Sequence, residues 1–328
     1  MQVLEHEWAQ LAQLRERFLG GRGETSQDYW ENARICELYD ATFAQRIAWK
    51  WRAVWGELAR RDRMPRAGRV LDWGCGGGIA AREFSAARLA SGADDPLHVH
   101  LWDRSAAARE FAAGKLREAD PKAKIELGLP AADAPIDLLL VSHVLGELDG
   151  RSLEQLTDLA RRARCVVWVE PGSREISREL MALRDSLLPG RSILGPCTHS
   201  AICGLNIPGR ERDWCHSFAK PAPEVFSRAD WREFSHRLKI DLRSVPYAYF
   251  ALSEASPAPA EPDLIRIIGR PRLEKGLARI DACDVSGVRN LRLLKRDAKQ
   301  LFKEFADAST LARTFRIVVE GDRVRSIE

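Results

Sequence analysis

Val70-Leu71-Asp72-Trp73-Gly74-Cys75-Gly76-Gly77-Gly78 leaves an apolar strand and enters a helix through four glycines. Glycine lets the backbone turn tightly and approach a ligand closely, and the start of the following helix attracts negative charge. The dinucleotide fingerprint Gly-x-Gly-x-x-Gly shares part of this logic. Here the order is Asp-x-Gly-x-Gly-x-Gly, with an acid inside the strand end itself. A carboxylate at that point repels a pyrophosphate and welcomes an ammonium. Cys75 reads as a small space-filler in the turn, not as a nucleophile.

Outward from the turn, strands and helices alternate. Arg69–Asp72 is a strand, Ile79–Ala90 a helix, His98–Asp103 a strand, Ser105–Ala119 an Ala-rich helix and Lys124–Leu127 a third strand. Ile136–Ser142 is a nearly continuous apolar run, as a strand buried on both faces requires. Leu153–Arg164 is helical, and Cys165–Glu170 is another buried strand. Such alternation argues for a parallel, doubly wound α/β sheet. Asp103 ends the second strand 31 residues after Asp72, placed to accept hydrogen bonds from both hydroxyls of a ribose. Strand, glycine loop, helix, strand and terminal acid together resemble a class I S-adenosylmethionine-dependent methyltransferase domain, a Rossmann-like sheet. The resemblance implies that Asp72, Gly74, Gly76, Gly78 and Asp103 hold S-adenosylmethionine.

Ligands bind open sheets at the C-terminal ends of the strands. On the fourth strand that position is Ser142-His143-Val144-Leu145-Gly146-Glu147. Ser142 and His143 join the cofactor-binding set there. Neither the Asn-Pro-Pro-aromatic pattern of amino-group methyltransferases nor the Pro-Cys pair of cytosine C5 chemistry is present, so no catalytic residue is assigned. His143 has the near-neutral pKa of a general base, but flanking the adenosine or packing is the plainer role. A binding fold does not by itself establish transfer chemistry.

Ahead of the sheet, residues from about Asp28 to Arg63 read as one or two helices rich in aromatics. Tyr39 and Phe43, and Trp51 and Trp55, stand four apart and share a helical face. A packed helical layer is the plain reading; a base-stacking surface is the alternative. Beyond the sheet, Val245–Leu252 and Leu264–Ile268 are strands around the linker Ser256–Pro262. Gly276–Asp284 and Val288–Leu294 are short strands, followed by a helix near Ala298–Ala308 and a strand at Phe315–Val319.

Three of the seven cysteines, Cys197, Cys203 and Cys215, fall within nineteen residues of a Gly- and Pro-rich loop. Thiolate is the soft ligand that zinc and iron–sulfur clusters select. Three unrelated thiols, each a small hydrophobe, are the plain alternative. A closed site needs a fourth ligand. His199 and His216 are the near candidates and give a Cys₃His zinc site, although the spacing is loose beside the usual Cys-x₂₋₄-Cys pairs. The distant candidate is Cys283, which gives four thiolates and suits a cubane cluster.

The chain has 328 residues, 45% hydrophobic and 30% charged, enough to bury a sizeable core. No run approaches the roughly 18 apolar residues of a membrane span. The start, Met1-Gln2-Val3-Leu4-Glu5-His6-Glu7, lacks the basic-then-apolar pattern of a signal peptide, so a cytoplasmic protein is expected. An odd cysteine count in a reducing compartment favours metal ligation over disulfides. Net charge is +4, but Leu264–Gln300 carries ten Lys or Arg against four Asp or Glu. That stretch is the candidate footprint for nucleic acid, a solvated basic face being the alternative.

Val70–Gly78, Ser142–Leu148, Val169–Gly172, Gly195-Pro196-Cys197-x-His199, Trp214-Cys215-His216 and Gly269-Arg270-Pro271-Arg272 with Cys283 together resemble one family. It is that of the methyltransferase-like proteins of mitochondrial small-ribosomal-subunit assembly and their bacterial relatives. The similarity runs from about Asp28 to Gln300. It implies a 4Fe–4S cluster on Cys197, Cys203, Cys215 and Cys283, with zinc the alternative metal. It also implies a small-ribosomal-subunit assembly or translation factor that binds S-adenosylmethionine and rRNA and is monomeric off the ribosome. An active rRNA methyltransferase and a zinc-stabilised methyltransferase of unknown substrate are the other readings. A radical enzyme is disfavoured, because no Cys-x₃-Cys-x₂-Cys triplet occurs. The expected organisation is an N-terminal helical region (1–65), the methyltransferase-like core (66–190), a cysteine-rich metal-binding insertion (191–244), closing strands of the core (245–270) and a small basic C-terminal extension (271–328).

Overall fold

The glycine turn ends one strand and starts the helix that returns the chain for the next, and the first half of the molecule repeats that step. The computed structural model describes residues 3–19, 30, 32–255, 261–306 and 314–328. Three helices come first: α1 (Glu5–Leu19), α2 (Ala33–Ala41) and α3 (Phe43–Arg60). The alternating part is β1 (Arg69–Trp73), α4 (Ile79–Ala90), β2 (His98–Trp102), α5 (Ala106–Ala119), β3 (Lys124–Leu127), β4 (Leu138–Ser142), α6 (Gly150–Arg162) and β5 (Cys165–Pro171). Next come α7 (Arg174–Leu187), β6 (Ser192–Gly195), β7 (Ser217–Ala219), α8 (Ala229–Leu238) and β8 (Val245–Ser253). The last elements are β9 (Leu264–Glu274), β10 (Leu277–Asp284), β11 (Gly287–Leu294), α9 (Lys299–Ala306), β12 (Thr314–Glu320) and β13 (Arg323–Ile327). The expected helix start at Asp28 and Tyr29, most of the Pro/Ala linker and the last helix beyond Ala306 lie outside the described residues. Helices α1, α7 and α8 and strands β6, β7 and β13 are additions to the sequence reading.

The chain gathers into two units. One comprises Met1–Trp55, Pro65–Glu170 and Ala219–Val245; the other Gly56–Met64, Pro171–Phe218 and Pro246–Glu328.

In the first unit the strands run parallel in the order β3-β2-β1-β4-β5. This is the class I methyltransferase-like sheet expected from the sequence. The order reverses between β1 and β4, which opens a crevice at the C-terminal ends of those two strands. Leu138–Val141 of β4 and Val166–Val169 of β5 are fully buried, as strands covered on both faces must be. Side-chain caps start two helices: Ser105 accepts from the Ala108 amide and Asp149 from the Ser152 amide. The aromatic stripe is packing. Trp51 and Trp55 stack at 5.3 Å, Trp55 meets Phe84 at 5.2 Å, and Trp49 and Phe43 meet Trp231 and Phe234 of α8.

In the second unit β6 pairs antiparallel with β8, and the basic C-terminal segment forms a closed barrel that also takes in β9. Its strand order is β10-β11-β13-β12-β9. All pairs are antiparallel except β11 with β13. Ile265, Ile267, Ile280, Leu291, Leu293, Phe315 and Val324 fill it, and α9 adds Phe302 and Phe305. Ile280 is fully buried at the centre of this small core. Ile280→Ala is expected to cost about 2–5 kcal/mol in a chemical denaturation measurement, whereas exposed Leu273→Ala should cost well under half of that.

Candidate functional site

The glycine turn is held from two sides by carboxylates. Asp72 is wholly buried in β1. Its Oδ2 accepts from the Ala81 amide at 3.1 Å in the first turn of α4, while Oδ1 is buried without a hydrogen-bond partner among the described residues. Burial lifts this carboxyl to about 7, and the nearby charge of Asp103 adds to the rise. Asp103, just past β2, accepts from the Gly76 amide at 2.9 Å and from the Ser105 amide at 3.0 Å. Gly74, Gly76 and Gly78 adopt φ of 68°, 48° and 70°, where a side chain is strained. Space forbids one as well. A Cβ on Gly74 would lie 2.6 Å from Val144 Cγ1, and one on Gly78 would lie 2.9 Å from Ala112 Cβ.

The half-buried fourth-strand residues sit in a polar knot with the buried Lys50 and Trp51. Trp51 Nε1 donates to Ser142 Oγ at 3.0 Å. His143 has φ 57°, and its Nε2 lies 2.7 Å from Lys50 Nζ. Its Nδ1 stands 3.3 Å from Ser142 Oγ. Burial, reinforced by the Arg46 charge, lowers Lys50 to about 7. Burial and Lys50 together hold His143 well below the usual imidazole range. Glu170, the penultimate residue of β5, accepts from the Val144 and Leu145 amides at 3.1 Å each and from Trp168 Nε1 at 2.7 Å. Its own burial raises it to about 7. Val144 therefore links the two halves, because its side chain crowds Gly74 and its amide bonds Glu170.

Lys50 and Glu170 did not enter the site set from the sequence. Both carried a signal: Lys50 is a cation between Trp49 and Trp51, and Glu170 ends its strand as Asp103 does.

All four candidate metal-binding cysteines lie in the second unit. Cys197 follows β6 after a cis Gly195–Pro196 bond, Cys203 lies in the loop, Cys215 precedes β7, and Cys283 is in β10. Burial pushes the Cys203 thiol up to about 12, with Cys215 and Cys197 adding to the rise. Cys283 rises for the same reason, with Cys197, Cys215 and Cys203 contributing in turn. The four thiols thus share one neighbourhood. Among the described residues, however, no three His, Cys, Asp or Glu side chains converge tightly enough to grip a single ion. His199 Nε2 lies 3.6 Å from Cys283 Sγ, and its Nδ1 accepts from the Ala201 amide. His216 instead stacks on Trp214 and lies against Gly269.

Helix α7 arranges the cysteine loop. Arg178 Nη1 donates to the carbonyls of Leu205, Arg210 and Asp213 at 2.8–2.9 Å. Arg184, fully buried, donates to those of Ala201 and His199, and Asp185 accepts from the Cys203 amide. Arg61 holds the carbonyls of Pro196 and Cys197. On the far side, Gly204 approaches the backbone of Gly287 so closely that a Cβ would lie 3.1 Å from its Cα. The loop is therefore pressed against the β10–β11 turn near Cys283.

Residues 53–309 match the family described as Mitochondrial small ribosomal subunit Rsm22. No curated protein matches the sequence. Solved structures with a similar course include a Pyrococcus horikoshii protein provisionally described as an RNA methyltransferase (13% identity, 77% of this chain, 97% of that one, TM-score 0.38). Another is the plantazolicin methyltransferase BpumL with S-adenosylhomocysteine (12%, 76% and 99%, TM-score 0.39). A Burkholderia thailandensis protein bound to S-adenosylhomocysteine aligns at 10% identity over 64% of this chain and 78% of its own (TM-score 0.38).

Two predictions follow from the buried groups of the first unit. Gly74→Ala should destabilise by about 1–3 kcal/mol, and adding Val144→Ala should restore part of that loss in thermal melts, the remainder being backbone strain. Glu170 binds a proton on folding between its ordinary range and pH about 7. Its contribution to stability therefore falls as pH rises through that window and is flat above it. Lys50 does the reverse, since the unfolded chain holds its proton above about 7 and stability grows from there toward the ordinary lysine range. Denaturation of Glu170→Gln and Lys50→Met across pH should show each difference curve sloping only in its own window.

Proposed function

Since the chain belongs to the Rsm22 family of the mitochondrial small ribosomal subunit, we propose that it is a methyltransferase-like assembly or translation factor that binds S-adenosylmethionine, a 4Fe–4S cluster and small-subunit rRNA. The observation that carries this reading is the shared neighbourhood of Cys197, Cys203, Cys215 and Cys283, drawn from three points on a loop and one on a barrel strand. The thiols of Cys203 and Cys283 are each raised by the charge of the neighbouring cysteines, and four thiolates drawn from a loop and a remote strand suit a multi-atom cluster. When bound, such a cluster supplies a rigid covalent anchor and stabilises its ligands as thiolates. Arg184 favours the same charge state, being buried beside Cys197 and Cys203.

On the sheet, the bare backbone of Gly74–Gly78 would hold the amino-acid end of S-adenosylmethionine, and Asp103 the ribose hydroxyls. Ser142 and His143 would flank the adenosine. Asp72 supports the turn from below, through the Ala81 amide. Seven free thiols suit a reducing compartment such as the cytoplasm. Among the described residues no helix is long and apolar enough to cross a membrane.

A second reading, an active rRNA methyltransferase, is favoured by the Lys50–His143 contact. A buried amine lowered to about 7 beside a neutral imidazole can accept a proton at neutral pH.

Anaerobically purified protein should be brown and contain iron and acid-labile sulfide. Cys283→Ser should lose the colour and the hydrogen-exchange protection of β10 together. A colourless protein carrying one zinc would replace the cluster with the zinc-stabilised reading. Transfer of label from S-adenosylmethionine to small-subunit rRNA, lost in Lys50→Met, would establish the enzyme; binding of the cofactor without transfer leaves the assembly factor.

A further inference from the structure

The barrel's outer face is unusual for a surface that serves only to enclose a core. Side chains alternate along its strands, so Ala278, Ile280 and Ala282 of β10 face inward, while Arg279, Asp281 and Cys283 face outward. Arg279 is registered against Arg272 of β9 on one side and Arg292 of β11 on the other. Three arginines therefore stand in a row across three strands, an arrangement that like-charge repulsion disfavours. Each is balanced by a surface acid: Arg272 by Asp281 at 3.4 Å, Arg279 by Glu274 at 2.7 Å and Arg292 by Asp322 at 2.6 Å. Exposed pairs of this kind hold weakly and yield to a stronger anion.

The row lines a groove of about 860 Å³. Its middle holds Asp281 opposite Asn290, and the Asn290 amide donates to the Asp281 carboxylate. One flank carries an aromatic ladder. Trp214 and His216 stack at 4.9 Å and 22°, His216 meets Phe218 edge-on at 5.3 Å, and the Arg270 guanidinium lies 4.1 Å over the Phe218 ring. Glu274 and Asp322, beside the β9–β10 and β12–β13 turns, bound the groove.

The barrel's connectivity agrees with this use. A five-stranded barrel ordered first-second-third-fifth-fourth, with a helix between the third and fourth strands, is the OB-fold arrangement. In that fold, the face of the second and third strands, with the loops joining strands one to two and four to five, binds oligonucleotides or oligosaccharides. Those elements are β10, β11 and the two turns that bound this groove.

We propose that the groove is a binding site for a single strand of RNA, its phosphates on the Arg272–Arg279–Arg292 row and its bases against Trp214, His216 and the Asp281–Asn290 pair. The charge pattern favours one strand over a duplex. Carboxylates set between the arginines repel a second backbone but accept hydrogen bonds from base amino groups, and stacking needs bases that are already exposed. The proposal deepens the ribosomal reading and rests on it only for the source of the RNA.

The test uses the full chain, a fluorescently labelled mixed-sequence single-stranded RNA, and the same RNA annealed to its complement. Affinity should be at least tenfold higher for the single strand. Combined Arg272→Ala, Arg279→Ala and Arg292→Ala should weaken binding and reduce the slope of log affinity against log salt by about 2, at roughly 0.7 per phosphate on a single strand. Trp214→Leu should weaken binding roughly tenfold with the slope unchanged. Because Trp214 also donates to the Gly172 carbonyl, Arg279→Glu serves as a second variant, on an exposed strand position with an unaltered thermal melt expected. Equal affinity for the duplex, unchanged binding by the arginine variants, or binding of a neutral oligosaccharide in place of RNA would overturn the proposal. Co-sedimentation with small ribosomal subunits separates the two levels. Wild type that sediments with subunits but shows no single-strand preference sinks the groove alone. Wild type that binds single strands but ignores subunits sinks the ribosomal reading alone.

Discussion

Backbone that leaves a helix or strand while staying buried must find hydrogen-bond partners, and both candidate sites are built around that requirement. The glycine turn meets it with carboxylates: Asp103 takes the Gly76 amide and Asp72 the Ala81 amide. The cysteine loop meets it with guanidiniums, since Arg178, Arg184 and Arg61 between them take seven of its carbonyls. The difference in sign matters. Amides turned toward an acid leave the turn's remaining donors for a ligand. Carbonyls turned toward guanidiniums bring positive charge into the loop, and the buried Arg184 places it beside Cys197 and Cys203, where negative charge must accumulate if they are to bind a metal.

The same logic accounts for Arg266. It is buried in β9, donates to Glu57 at 3.1 Å and to Ser217 Oγ at 2.5 Å, and lies 5.9 Å from the Tyr249 ring centroid. A buried ion pair is weak support for stability in itself, because desolvation offsets attraction. Its use here is local: the Arg266 charge lowers the cost of ionising Cys215. The cysteine neighbourhood is thus flanked by two buried arginines, Arg184 on its helix side and Arg266 on its barrel side.

The parallel sheet was legible from sequence because its inner strands β4 and β5 are short apolar runs set between helices, and Ile79–Ala90 was readable to the residue. Helix α7 was not, for a physical reason. Its buried positions, Ser177, Leu180, Met181, Arg184 and Leu187, have helical spacing, yet two of the five are polar. The polar two, Ser177 and Arg184, face carbonyls of the cysteine loop instead of a hydrocarbon core, so hydrophobic periodicity fails there. Glu170 and Lys50 were obscured differently. Each is a charge flanked by apolar residues, meaningful only once Val144, His143 and Trp168 are placed in the fold. The barrel's strands were mostly visible, but not its closure, since β13 reads as Arg323-Val324-Arg325-Ser326-Ile327 with a single fully buried residue.

Cys283 and Arg279 lie on one outward face of β10, two alternations apart, a separation of about 14 Å along the strand. Anything that fixes Cys283 also fixes the register of β10 against β9 and β11, and that register sets the three arginines side by side. A slip of one residue would turn Arg279 into the barrel and Ile280 out of it. The close approach of Gly204 to Gly287 presses the cysteine loop on the same hairpin at its turn, beside Cys283. Anchoring at the thiols and charge alignment in the groove are therefore two consequences of one strand's position. The arginine row thus depends on the position of Cys283 although the two stand about 14 Å apart on the strand.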